Sequence, residues 1–119
     1  MIAKTHHSII AALLLLIFTP SASALTMNEF AQACDQFSGP CSGHPVLNAY
    51  IGGALDLLAT LDEKTDYLQQ PVYCQDPREI FSVARIIDFM IDNAEQHAED
   101  NAMLGLLLYF KRNGGCLND

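Results

Sequence analysis

Apolar residues recur at three- and four-residue spacing from Val46 to Lys64, where Leu47, Ile51, Ala54, Leu55, Leu58 and Leu61 form one stripe opposite Asn48, Asp56 and Asp62. That period predicts a helix over 46–64. A second set, Ile80, Phe81, Ala84, Ile87, Met90, Ile91 and Ala94, predicts a helix over 77–98 with an acidic outer face of Glu79, Asp88, Asp92, Glu95 and Glu99. Its start is marked by Asp76-Pro77-Arg78-Glu79: an acid to cap the first N–H groups, a proline where no N–H is needed, and a glutamate at the third position. Thr26-Met27-Asn28-Glu29 is a capping box that opens a short helix running to about Cys34. A last helix is expected from near Asp100 to Gly114, where the glycine suits a left-handed cap and Lys111 and Arg112 complement the dipole. Ser38-Gly39-Pro40 and Ser42-Gly43-His44-Pro45 break the chain around Cys41, and the stretch TDYLQQPVYCQ, 65–75, loses the period at Pro71. With no strand alternation, phosphate-binding glycine fingerprint or repeat, the pattern predicts an all-α fold, a small helical bundle of about four helices.

Two stretches strain this pattern. Gly52 and Gly53 sit in mid-helix, where each costs about 1 kcal/mol relative to alanine. Together with Ala49 and Ala54 they present small surfaces, which predicts close approach of another backbone and strong destabilisation by Gly53→Leu. The stretch AMLGLLLYF, residues 102–110, is apolar all round. Such a helix is either the central element or has one face covered by a second copy; in a domain this small the second is expected, a homodimer.

The N-terminus changes the setting. Lys4, the unbroken apolar run Ile9 to Phe18 and the small residues Ala22-Ser23-Ala24 have the form of an export signal over residues 1–24. The run is too short to span a bilayer, and the nearest cysteine, Cys34, is too distant from the cleavage point for a lipid anchor. The mature chain is then one helical domain, 25–119, expected to be periplasmic and free of the membrane. Lys4 leaves with the leader, so five basic residues face 14 acidic ones, a formal charge of −9. That acidity argues against nucleic acid and anionic lipid and favours a neutral or basic protein partner, unless it serves solubility alone.

Cys34, Cys41, Cys74 and Cys116 all lie in the mature part, and an even count in an exported chain reads as two disulfides. Of the three possible pairings we favour Cys34 with Cys41, a local clamp, and Cys74 with Cys116, whose long loop is worth about 4 kcal/mol on the chain-entropy model. No metal or other cofactor is expected, because no C-x-x-C pair exists and His44 and His97 stand alone.

No catalytic set emerges. Ser38, Ser42, His44 and Asp35 are neighbours in a turn-rich stretch without the rigid support a nucleophilic triad needs. Asp88, Asp92 and Gln96 read as a solvated face, and His97 as an exposed helix-end residue. Tyr50 and Tyr109 divide between core and contact roles, whereas Asp66, Tyr67, Gln69, Gln70 and Tyr73 cluster in the irregular segment and form a candidate recognition loop.

Cys41 followed by Tyr50-Ile51-x-Gly53-x-x-Asp56, then Cys74 with Pro77 nearby, a long helix, an Ala/Leu-rich helix and a last cysteine at Cys116, resembles the Rap/Tai family of periplasmic immunity proteins. The likeness runs from Thr26 to Cys116. It departs from the family in placing Cys41 well before Tyr50 and in having Gly115, not proline, before the last cysteine. The resemblance implies an all-helical, exported, commonly dimeric protein that occludes the active-site groove of a peptidoglycan amidase delivered by type VI secretion. The loop carrying Tyr67, Gln69, Gln70 and Tyr73 would enter that groove. An alternative of another class is an acid-activated periplasmic chaperone of the HdeA type, which is also small, helical and disulfide-bonded.

Overall fold

A computed structural model describes residues 24–64 and 69–116. The segment expected to be an export signal, Ala24 apart, lies outside the described residues, as do Asp66 and Tyr67. Among the described residues five α-helices follow one another: α1 Met27–Asp35, α2 Pro45–Glu63, α3 Pro77–Ile80, α4 Val83–Asn93 and α5 Ala102–Asn113, with a 3-10 turn at Cys41–Gly43 between α1 and α2. Among the described residues the one β-type feature is an isolated antiparallel bridge between Thr26 and Asn101. The fold is therefore the expected small helical bundle, and both expected disulfides, Cys34–Cys41 and Cys74–Cys116, staple it. Among the described residues no helix is long and apolar enough to cross a membrane.

Each helix start has a side-chain cap. The Thr26 hydroxyl accepts from the Glu29 N–H at 3.2 Å, and the Thr26 N–H donates to the Glu29 carboxylate at 2.8 Å. The N–H of Arg78 donates to Asp76 Oδ1 at 2.9 Å. At α2 the cap is His44, whose Nδ1 accepts from the N–H groups of Val46 and Leu47 at 3.2 and 3.4 Å, ahead of Pro45 at the first helical position.

The helix expected over 77–98 is broken in two and ends early. Phe81 leaves the helical region (φ −82°, ψ 52°), and its ring packs 5.0 Å from Tyr73 and 5.7 Å from Phe110, centroid to centroid. Ser82 then restarts the chain as α4, its Oγ accepting from the N–H of Arg85. After Asn93 the chain turns, and the carbonyls of Ala98 and Asp100 accept from the N–H groups of Asn28 and Met27 at 3.0 and 2.8 Å. Tertiary pairing with the N-terminal segment thus replaces the last helical turns. The last helix starts at Ala102, capped by Asn101 and not by Asp100. Its C-cap Gly114 keeps a right-handed conformation (φ −77°), and the positive φ, 77°, falls on Gly115.

One core runs through the bundle: Met27 and Phe30 from α1, Leu47 and Ile51 from α2, Ile86, Ile87 and Met90 from α4, and Leu106, Tyr109 and Phe110 from α5. Burying each large apolar side chain contributes about 1.5–3 kcal/mol. The close approach expected at the Gly52-Gly53 pair is absent, since a β-carbon at either would meet nothing within 4 Å. The tight glycine is Gly105, where a β-carbon would lie 2.5 Å from Met27 Sδ and 3.4 Å from Met90 Cγ. Gly105 lets α5 lie against α1 and α4, and the pattern hid it because it sits inside a run that is apolar on every side. On α5 itself one face is buried, while Leu104 and Leu107 stay 53% and 44% exposed.

Candidate functional site

The predicted recognition residues divide sharply. Gln69, Gln70 and Pro71 are exposed, and Asp66 and Tyr67 lie outside the described residues. Tyr73, expected as a contact residue, is in the core at 6% exposure. Its ring meets Phe81 edge-on and lies 5.8 Å from Phe110, part of an aromatic cluster that continues through Tyr109 to Phe89. Burial raises the Tyr73 phenol above its ordinary value, helped by the Asp62 and Glu63 carboxylates at the end of α2. Apolar contact, which residue type alone does not reveal, decides the role of this tyrosine.

Tyr73 works as an anchor. Directly after it, the N–H groups of Cys74 and Gln75 both donate to the Gly114 carbonyl, at 2.7 and 2.9 Å. Cys74 is also bonded to Cys116 across 42 positions. A buried ring, a disulfide and two backbone hydrogen bonds therefore fix the chain within a few residues of exposed Gln69 and Gln70. Beside this anchor lies a trough of about 270 Å³ lined by Pro71, Val72, Leu107, Phe110, Lys111 and Cys116. Polar side chains held on a rigid base, next to an apolar hollow, are suited to gripping a protein surface.

The motif residues of α2 are divided too. Ile51 is fully buried, and half-buried Tyr50 packs its ring 6.2 Å from Phe30, where burial raises its phenol. Gly53 and Asp56 are exposed, and Leu57 beside them is among the most exposed large apolar residues described. The motif thus has a packed half, Tyr50 and Ile51, and an exposed half.

Both histidines singled out in the sequence are engaged locally. His44 spends its Nδ1 on the α2 cap, with its ring 4.8 Å from Phe37. His97 Nδ1 pairs with Asp100 Oδ2 at 2.9 Å. Among the described residues no group of three His, Cys, Asp or Glu side chains converges as a metal site would. The His44 cap was missed in the sequence, although His44-Pro45 repeats the acceptor-then-proline form of Asp76-Pro77.

Neither the protein-family models nor the curated proteins nor the solved structures match this chain.

Proposed function

We propose that the chain is an exported inhibitor: a periplasmic immunity protein that binds a secreted peptidoglycan amidase and covers its active-site groove. The observation that carries this reading is the anchoring of the Gln69–Pro71 segment by Tyr73, the Gly114 carbonyl and the Cys74–Cys116 bond. A contact segment held before binding loses little conformational freedom on binding, which favours tight capture without catalysis. The signal-like pattern of residues 1–24 and the oxidised cysteines support export. The acidic exterior would draw a basic rim around the target groove and speed encounter. Exposed Leu104 on α5, away from the trough, is the natural seam of a homodimer.

The test is capture of the purified protein by candidate periplasmic cell-wall amidases, with turnover of peptidoglycan measured alongside. Inhibition at one-to-one stoichiometry at neutral pH, weakened when Gln69 and Gln70 are both changed to alanine, is the expected result. Protection of unfolded clients only near pH 2–3, with no amidase bound, would overturn the inhibitor in favour of the acid-activated chaperone.

A further inference from the structure

The chain has six basic residues against 14 acidic ones, yet three of the six, Arg78, Arg85 and Arg112, line a single open cleft of about 540 Å³. They come from α3, α4 and α5, and Gln75, Glu79 and Asn113 complete the polar wall. Their charges are not equally available. Arg78, 90% exposed, already grips Asp76: its Nε donates to both carboxylate oxygens, at 3.2 and 3.1 Å, and its Nη2 to Oδ2 at 2.7 Å. Among the described residues, neither Arg85 nor Arg112 has a carboxylate partner. Arg112 is nonetheless positioned, because Nη1 donates to Asn93 Oδ1 at 3.3 Å and the guanidinium carbon stands 5.5 Å from the Phe89 ring centroid. A guanidinium steadied on an aromatic face keeps its other donors for a planar oxyanion.

We propose that this cleft receives an aspartate or glutamate side chain of a protein partner. Two unpaired guanidiniums against the single carboxylate of Glu79 leave the cleft positive on an acidic molecule, so it selects the opposite charge from the rest of the surface. A partner attracted by the acidic exterior would be fixed in orientation by one acid placed here. The occupant is a protein group and not a free anion, because exposed ion pairs hold little by themselves and need a partner's body to exclude water. Lys111 and Cys116 of the apolar trough are chain neighbours of Arg112 and Gly115 in the cleft, so the two hollows flank the same end of α5. The cleft's chemistry stands whether or not the partner is an amidase.

Nuclear magnetic resonance titration of the isotope-labelled protein with an end-blocked glutamate-rich peptide tests this directly. The Nε–H signals of Arg85 and Arg112 and the amides of Gln75 and Asn113 should shift and saturate, while the glutamine counterpart leaves them in place. Arg85→Gln and Arg112→Gln should each weaken the peptide several-fold, whereas Lys64→Gln, outside the cleft, should not. Circular dichroism will report whether Arg112→Gln disturbs the Phe89 contact, and Arg85→Gln keeps the question decidable if it does. Equal shifts with the glutamine peptide, equal weakening by Lys64→Gln, saturation by inorganic phosphate with the glutamate peptide inert, or no saturable shift at all would each overturn the proposal.

Discussion

The Tyr109 hydroxyl donates to the Ile80 carbonyl at 3.0 Å, a buried hydrogen bond between residues 29 positions apart. It joins the last turn of α3 to the middle of α5 and satisfies a carbonyl at the place where the expected long helix breaks. Phe81, the next residue, then turns its ring onto Phe110. The break and the aromatic cluster are thus one arrangement.

Tyr109→Phe keeps the ring and removes the donor, leaving the Ile80 carbonyl buried and unpaired. Such a group costs about 1–3 kcal/mol. The urea midpoint should fall by a corresponding amount with an unchanged denaturant slope. An unaltered midpoint would mean that water replaces the phenol and that this bond does not hold the α3–α5 junction.

The two glycine sites should respond in opposite directions. Gly53→Ala gains helix propensity in open space and should stabilise by about 0.5–1 kcal/mol. Gly105→Ala pushes a methyl group into Met27 and Met90 and should cost about 1–3 kcal/mol, because overpacking a filled core forces its neighbours to shift. Thermal melts of both variants at several protein concentrations check this. Loss of stability in Gly53→Ala that depends on concentration would place a second copy on that face of α2.

The sequence exposed the local features well and the tertiary ones poorly. The capping box at Thr26, the Asp76-Pro77 start and the 46–64 stripe are readable because each is settled by residues within one or two turns of each other. The cysteine pairing was readable because four cysteines leave only three choices, and the two observed bonds are the favoured one of them. The break at Phe81 and the burial of Tyr73 were not, since both depend on aromatic rings that meet across 29 to 37 positions. The same holds for Gly105, whose need for a small residue is imposed by Met27 on another helix, and for the arginine cleft, assembled from three helices.

Tyr73 gives the fold an alkaline limit. Its phenol is raised in the folded chain by burial, then by Asp62 and Glu63, above the ordinary 10.0 that the unfolded chain keeps. A raised folded value stabilises the fold fully below the unfolded value, and that contribution disappears as pH climbs from about 10 through the folded value. Stability should therefore drop above pH 10 in the native protein and less steeply in Tyr73→Phe, and tyrosinate absorbance of the native protein should include a late-ionising component that Tyr73→Phe lacks. Equal alkaline loss in both proteins would remove Tyr73 from the limit.

The two disulfides should differ in what they protect. Cys34–Cys41 closes a loop of sequence separation 7 and Cys74–Cys116 one of 42, which the chain-entropy model converts to about 2.5 and about 4 kcal/mol. Small domains are stable by only about 5–15 kcal/mol, so replacing Cys74 and Cys116 by serine should consume much of the margin, and replacing Cys34 and Cys41 less. The longer bond also anchors the segment beside Gln69 and Gln70, whereas the shorter one joins the end of α1 to the 3-10 turn. At a temperature where both double variants remain folded, only the Cys74/Cys116 variant should lose partner capture, because its contact segment must then be ordered on binding. Equal capture by the two variants would show that the anchor adds stability without shaping the contact surface, and the grip would have to be sought along the exposed half of α2, at Gly53 and Asp56.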